Sequence, residues 1–312
     1  MLNLNKLSLS GMEISQSERA KTLLPDSCIN VIRPLHWWTL VNVTRLKVAT
    51  AFGTTAFLGI SELEKLQPKY PIRDGYKYDD ESILNRGRER SAKILELPGA
   101  AEAQSFLEVG CGDGMVTAIL HEAGKISTGI DLQGNNFDPR AVDSGAILLA
   151  MDAEKLCFED ESFDYIVSFN SFEHFHRPDK VFDEMIRVLK PGGHIYLQFG
   201  PLYNSAFGEH AYRVITVPYC QFLFSLETMN EYAVSQGRNP IDPDHVNQWS
   251  LEDYRSLWKS REGVLRTVMY NEKFNLSHLD ILRKYCSCFN SRVPTFENYL
   301  VSDISALFRV IR

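Results

Sequence analysis

FLEVGCGDG, residues 106–114, places Gly110, Gly112 and Gly114 at alternate positions directly after a short apolar run, with Glu108 ahead of them and Asp113 between them. Glycine weakens a strand, so this much of it implies a backbone that something approaches closely. A strand, a glycine-rich turn and a helix start together expose N–H groups to a ligand. Several nucleotide binders share GxGxG, but the phosphate-cradling pattern GxxxxGK[ST] is absent. Acid beside a phosphate is unfavourable, whereas acid beside a cationic amino-acid ligand is favourable. Further on, Asp131 ends STGID, Asp152 ends AILLAMD, and Asn170 opens NSFEHFHRP, which also holds Glu173, His174 and His176. Histidine near its reference pKa suits proton transfer.

The elements that must position these residues read from apolar runs. SFLEVG (105–110), STGID (127–131), AILLAMD (146–152), FDYIVSF (163–169) and HIYLQFG (194–200) have the pattern of buried parallel strands. GMVTAILHEAG predicts a helix, and so does PDKVFDEMIRVLK (178–190), with Val181, Phe182, Met185, Ile186 and Leu189 on one face and Pro191-Gly192-Gly193 as its stop. Strands alternating with helices predict an α/β fold with a parallel sheet covered on both faces. SLEDYRSLWKS (250–260) reads as a helix capped by Ser250, SHLDILRKYCSCF as helical, and VLRTVMYNE and ALFRVIR (306–312) as closing strands.

Four ordered stretches, FLEVGCGDG, TGIDLQ, MDAEKLCFEDESFDYIVSFNSFEHF and VLKPGGHIYL, resemble the class I S-adenosylmethionine-dependent methyltransferases, in particular the type 11 small-molecule group. The resemblance covers residues 104–200 well and 250–312 loosely. It implies a Rossmann-like, seven-stranded, mostly parallel sheet with an N-terminal helical cap and an insertion after the fifth strand. It also implies that Gly110, Gly112 and Gly114 admit the methionine part of the cofactor, with Glu108 shaping the loop. Asp131 would accept from both ribose hydroxyls, Leu132 would lie on the adenine, and Asp152 and Ala153 would meet the adenine edge. Asn170 would face the transferring methyl. As a plain turn residue Asp131 needs no ligand, Asp152 could cap AEKL, and Cys111 reads as a small filler between glycines.

An oxygen or nitrogen acceptor needs a base, and His174 and His176 lie just past the fourth strand. In the family, EH at this place often shapes the pocket without acting as base. Between 203 and 248 an aromatic-rich insertion supplies His210, a third candidate base, with Glu209, Tyr212 and Tyr219. Glu173, Tyr212 and Tyr219 are the candidate acceptor contacts, and an extra hydrophobic layer or a homodimer face is the rival reading of that segment. In RDGYKYDDES (73–82), Tyr76 or Tyr78 would touch the cofactor from a lid, or the segment is a solvated turn. Residues 1–100 are expected as a cap, lid or interface and 101–312 as the methyltransferase domain. The expected activity is methyl transfer from S-adenosylmethionine to a small-molecule oxygen or nitrogen, such as a sugar or biosynthetic metabolite. Rival readings are a carbon methyltransferase, a catalytically inactive cofactor-binding scaffold partner, and a dinucleotide oxidoreductase.

The net charge of −7 over 312 residues, without a Lys/Arg cluster, argues against a nucleic-acid partner. Cysteines at 28, 111, 157, 220, 286 and 288 make no zinc spacing and read as free thiols of a reducing cytoplasm. His174, His176, His210 and His245 lie on separate elements without ligand spacing, so no metal is expected. The first residues lack a basic region followed by a long apolar core and do not read as a secretory signal. Between 35 and 60, Arg45 and Lys47 leave an uncharged run of 13 residues, too short to span a bilayer. That stretch is expected as a buried or interface helix, with weak contact to an anionic membrane surface as the alternative.

Overall fold

The computed structural model describes residues 26–51, 57–72 and 77–311, with side chains from Trp37 onward. Tyr76 lies outside the described residues. Elements follow in the order α1 (Asp26–Ala49), α2 (Ile60–Leu66), α3 (Asp80–Leu95), β1 (Ser105–Val109), α4 (Met115–Glu122), β2 (Ile126–Asp131), α5 (Pro139–Asp143), β3 (Ile147–Ala150), β4 (Phe163–Phe169), α6 (Pro178–Val188) and β5 (Leu189–Phe199). They continue as α7 (Cys220–Leu223), α8 (Leu226–Ser235), α9 (Leu251–Ser260), β6 (Leu265–Phe274), α10 (Leu279–Lys284) and β7 (Val301–Val310).

The seven strands form one sheet in the order β3-β2-β1-β4-β5-β7-β6. Pairings from β3 to β5 are parallel, and β5 pairs β7 antiparallel, with His194 opposite Arg309 and Phe199 opposite Ile304. This is the parallel sheet that the apolar runs predict, in the Rossmann-like, seven-stranded, mostly parallel form that the resemblance implies. Apolar side chains fill it: Phe106, Leu107, Ile166, Val167, Ile195 and Leu197 are fully buried. Fully burying a side chain of this size stabilises by roughly 1.5–3 kcal/mol.

Helix α6 stops at Val188, and Leu189 already pairs with Phe163 as the first residue of β5. The stretch Lys190–Gly193 is then looped out, because the next partner of Tyr165 is His194. Glycine is required there: Gly192 has φ +79°, and a Cβ on Gly193 would stand 2.8 Å from the Asp164 carbonyl oxygen. The expected helix stop is thus a bulge inside a strand. The closing strand also starts earlier than expected, at Val301, where half-buried Asp303 and Ser305 alternate with buried Ser302, Ile304 and Ala306.

The chain divides into two compact units, one made of the described residues through Ile72 with 201–243 and 273–302, the other of 77–200, 244–272 and 303–311. Residues 77–100 therefore group with the sheet. Helix α3 lies against α4 so closely that a Cβ on Gly87 would meet Met115 Cγ at 2.6 Å. The other unit has its own core, with Val41, Leu63, Tyr219, Phe222, Phe289 and Tyr299 among its buried members. There the Tyr219 hydroxyl donates to the Tyr299 carbonyl at 2.9 Å, and the Tyr299 hydroxyl to that of Phe289 at 2.7 Å. None of the described helices is long and apolar enough to cross a membrane.

Candidate functional site

The glycine loop leaves β1 at Val109 and enters α4 at Met115. Gly110 and Cys111 both donate to the Ile130 carbonyl at 2.9 Å, holding the loop over the end of β2. All three glycines have positive φ, between +55° and +78°. Their missing side chains face different things. A Cβ on Gly110 would stand 2.4 Å from Ser171 Oγ, and one on Gly114 2.8 Å from Leu148 Cδ1. On Gly112 it would meet nothing within 4 Å. Of the three, Gly110 and Gly114 leave room for the protein's own side chains, and the missing side chain of Gly112 faces open space.

The acidity of the loop is also used internally. Glu108 is 2% exposed; its Oε2 accepts from the Thr117 N–H at 3.1 Å and the Thr117 hydroxyl at 2.6 Å, bracing the first turn of α4. Burial pushes its pKa up to about 8 against those bonds. Asp113 Oδ1 accepts from Met115 N at 3.0 Å, and its Oδ2 lies 3.4 Å from Arg86. Both acidic side chains of the loop are thus partnered within the protein. Cys111 is buried, which raises its thiol pKa.

At the end of β2, Asp131 accepts from Gly112 N at 2.9 Å with Oδ2 and from Gln133 N at 3.1 Å with Oδ1. A carboxylate has about four lone-pair positions, so each oxygen retains one. Leu132 follows at 74% exposure, an apolar side chain with an uncovered face. The Met151 N–H donates to the Asp131 carbonyl at 2.9 Å, carrying residues 151–153 alongside. Asp152 sits two residues beyond the end of β3 and uses Oδ1 to accept from Glu154 N at 2.9 Å, the local turn role; Ala153 is buried.

Past β4, Asn170 adopts φ +48°, a left-handed conformation that asparagine tolerates, and donates its N–H to the Gln198 carbonyl at 2.8 Å. Ser171, which pattern reading passed over, donates its hydroxyl to carbonyls of Gly110 and Phe169, each at 3.0 Å. Its signal was only a small residue among aromatics. Glu173 is 2% exposed, accepts from Gly200 N at 3.1 Å, and is pushed by burial up to about 8. Its Oε1 braces the end of β5, while its buried Oε2 has no hydrogen-bond partner among the described residues. His174 is exposed, and its Nδ1 lies 2.5 Å from the His245 carbonyl oxygen. A carbonyl only accepts, so Nδ1 carries the proton and, in the neutral ring, Nε2 is the basic nitrogen. Partial desolvation, reinforced by the neighbouring His245, lowers the pKa below 6.5 despite that hydrogen bond. His176 is exposed on the turn before α6.

His210, Tyr212 and Tyr219 belong to the other compact unit. His210 Nε2 donates to the Pro201 carbonyl at 2.8 Å, and Tyr212 is 37% exposed with its ring 5.4 Å from that of His210. Tyr219 is 1% exposed with its hydroxyl already spent on Tyr299, so it is a core residue of its unit and offers no acceptor contact. Tyr78, at 63% exposure, has the Arg86 guanidinium 5.7 Å from its ring centre.

Residues 107–197 match the family described as "Methyltransferase domain". The chain is 25% identical over 202 residues to a ubiquinone biosynthesis O-methyltransferase of Coxiella burnetii, covering 63% of this chain and 81% of that one. A sterol 4-C-methyltransferase of Caenorhabditis elegans is 28% identical over 124 residues, 38% of this chain and 37% of that one. Among solved structures, an N-methyltransferase from Bradyrhizobium japonicum in complex with S-adenosyl-L-homocysteine aligns with TM-score 0.40 at 17% identity, over 81% of this chain and 98% of that one. Residues 107–197 thus form a methyltransferase domain.

Proposed function

We propose that this enzyme transfers the methyl group of S-adenosylmethionine to an oxygen or nitrogen of a small-molecule acceptor. The observation that carries the choice of O or N is the tautomer of His174. With Nδ1–H held by the His245 carbonyl, the basic lone pair that hydroxyl and ammonium acceptors require lies on Nε2. The first-named relative, an O-methyltransferase, supports the same reading.

The residues present fit the cofactor. The open face of Gly112 admits it beside the backbone, Asp131 holds lone pairs for a diol, and the bare side of Leu132 suits a flat ring. Ala153, three residues past β3, and Asn170, directly past β4, complete the set, with Glu108, Gly110 and Gly114 shaping the loop. When bound, the cofactor supplies an electrophilic methyl on a sulfonium. The chain then orients the acceptor for in-line approach, and His174 Nε2 takes the proton that the acceptor atom loses.

A screen of catechols, sugars and amines with radiolabelled S-adenosylmethionine tests this. Product should be labelled on oxygen or nitrogen, and His174→Ala should lower turnover by roughly 10²–10⁴-fold while S-adenosylhomocysteine binds unchanged. Full turnover in that variant, or label on carbon alone, would reject the reading.

A further inference from the structure

We infer that Asn247 is a positioning residue for His174, fixing the tautomer of the proposed base through the segment that carries His245. The inference rests on the reading of His174 as base. The His245 carbonyl lies outside helix and strand, 71 residues along the chain from the ring it meets, so something must hold it there. Asn247, two residues on, is tied by both its backbone and its side chain. Its N–H donates to the Glu173 carbonyl at 2.9 Å, and Nδ2 donates to the Phe172 carbonyl at 2.9 Å. Two consecutive carbonyls just ahead of His174 are thereby pinned to the residue just beyond His245.

The amide is oriented from its other end as well. Oδ1 accepts from the Tyr254 hydroxyl at 2.9 Å and from Trp249 N at 3.1 Å. Turning the amide over would set an oxygen against the Phe172 carbonyl and an NH₂ against Trp249 N–H, so only one orientation is compatible. Tyr254 is itself enclosed. It is 1% exposed on α9, with rings of Phe199 and Trp249 at 5.0 and 5.3 Å. A buried aromatic therefore orients an amide, the amide sets a loop, and the loop's carbonyl sets which imidazole nitrogen is basic. Such an outer hydrogen bond is what selects a histidine tautomer.

The tautomer is read from the imidazole directly, without an acceptor. In protein labelled with ¹⁵N-histidine and saturated with S-adenosylhomocysteine, the His174 signals are assigned by their loss in His174→Gln. Wild type should show a single neutral tautomer with the proton on Nδ1. Asn247→Ala should show a mixture of tautomers while binding S-adenosylhomocysteine within twofold of wild type. An Asn247→Ala protein that binds normally and keeps the pure Nδ1–H tautomer overturns the inference. If that variant does not fold, Tyr254→Phe, which loses one hydroxyl, should show a smaller shift in the same direction, and no shift overturns it. Turnover of His174→Ala separates the two claims. If it is undiminished, the base reading falls and the inference with it. If it collapses while the tautomer of Asn247→Ala stays pure, only the inference falls.

Discussion

Gly110 and Gly112 look interchangeable in sequence, and the structure gives them opposite duties. Gly110→Ala drives a methyl to about 2.5 Å from the Ser171 side chain and strains a φ of +73°. It should destabilise the fold by about 1–3 kcal/mol, seen as a lower midpoint in urea. Gly112→Ala meets no protein atom and bears only the strain of φ +55°, about 1–2 kcal/mol. Its main loss should be affinity for S-adenosylhomocysteine, by at least tenfold in calorimetry; the reverse ranking of the two variants would overturn the assignment of the open face. His174 makes a second residue-scale prediction. The base works when neutral, and its pKa lies below 6.5, so the acid limb of kcat against pH should fall below 6.5 and vanish in His174→Ala.

Among the elements, those built from apolar runs were legible, because a buried parallel strand needs little besides β-branched and aromatic residues. Four strands and the helix over PDKVFDEMIRVLK were read to within two residues of their limits, while the fifth strand, read from His194, starts at Leu189. Helix α3 was not, since it meets α4 through Gly87 and Ser91 rather than through a broad apolar stripe. The bulge in β5 was taken for a stop because KPGG carries turn chemistry whether it ends a helix or interrupts a strand. Glu108 misled by type: an acidic residue in a loop reads as exposed charge, yet its partner Thr117 lies one helical turn into α4. Asn247 left no local signal, since its partner Phe172 is 75 residues away. The start of α9 was readable, and it carries a capping box in which Ser250 Oγ accepts from Asp253 N at 3.1 Å and Asp253 Oδ2 accepts from Ser250 N at 2.8 Å. Ser250→Ala should lower stability by about 1 kcal/mol, measured by denaturant titration.

For the whole molecule, two buried acids give the stability curve its shape. Glu108 and Glu173 each hold a proton up to about pH 8 in the folded chain, against 4.5 when unfolded. Between those values the folded state binds more protons, so stability falls as pH rises, with a slope of up to about 1.4 kcal/mol per pH unit for each group. Urea midpoints from pH 5 to 8 should decline, and Glu173→Gln should flatten the decline whatever it does to the absolute value; an unchanged slope would place its pKa near the ordinary one.

The route of the chain has a consequence for biosynthesis. It passes between the two units after Ile72 and before Lys77, and again at 200/201, 243/244, 272/273 and 302/303, so each unit collects segments made at widely separated times. Strand β5 pairs along its outer side with residues 304–309. Until those have emerged from the ribosome, the nascent chain carries a completed parallel core with one naked border of amide and carbonyl groups. Such a border recruits any passing strand, so this is the interval in which a chaperone, or aggregation, has its chance.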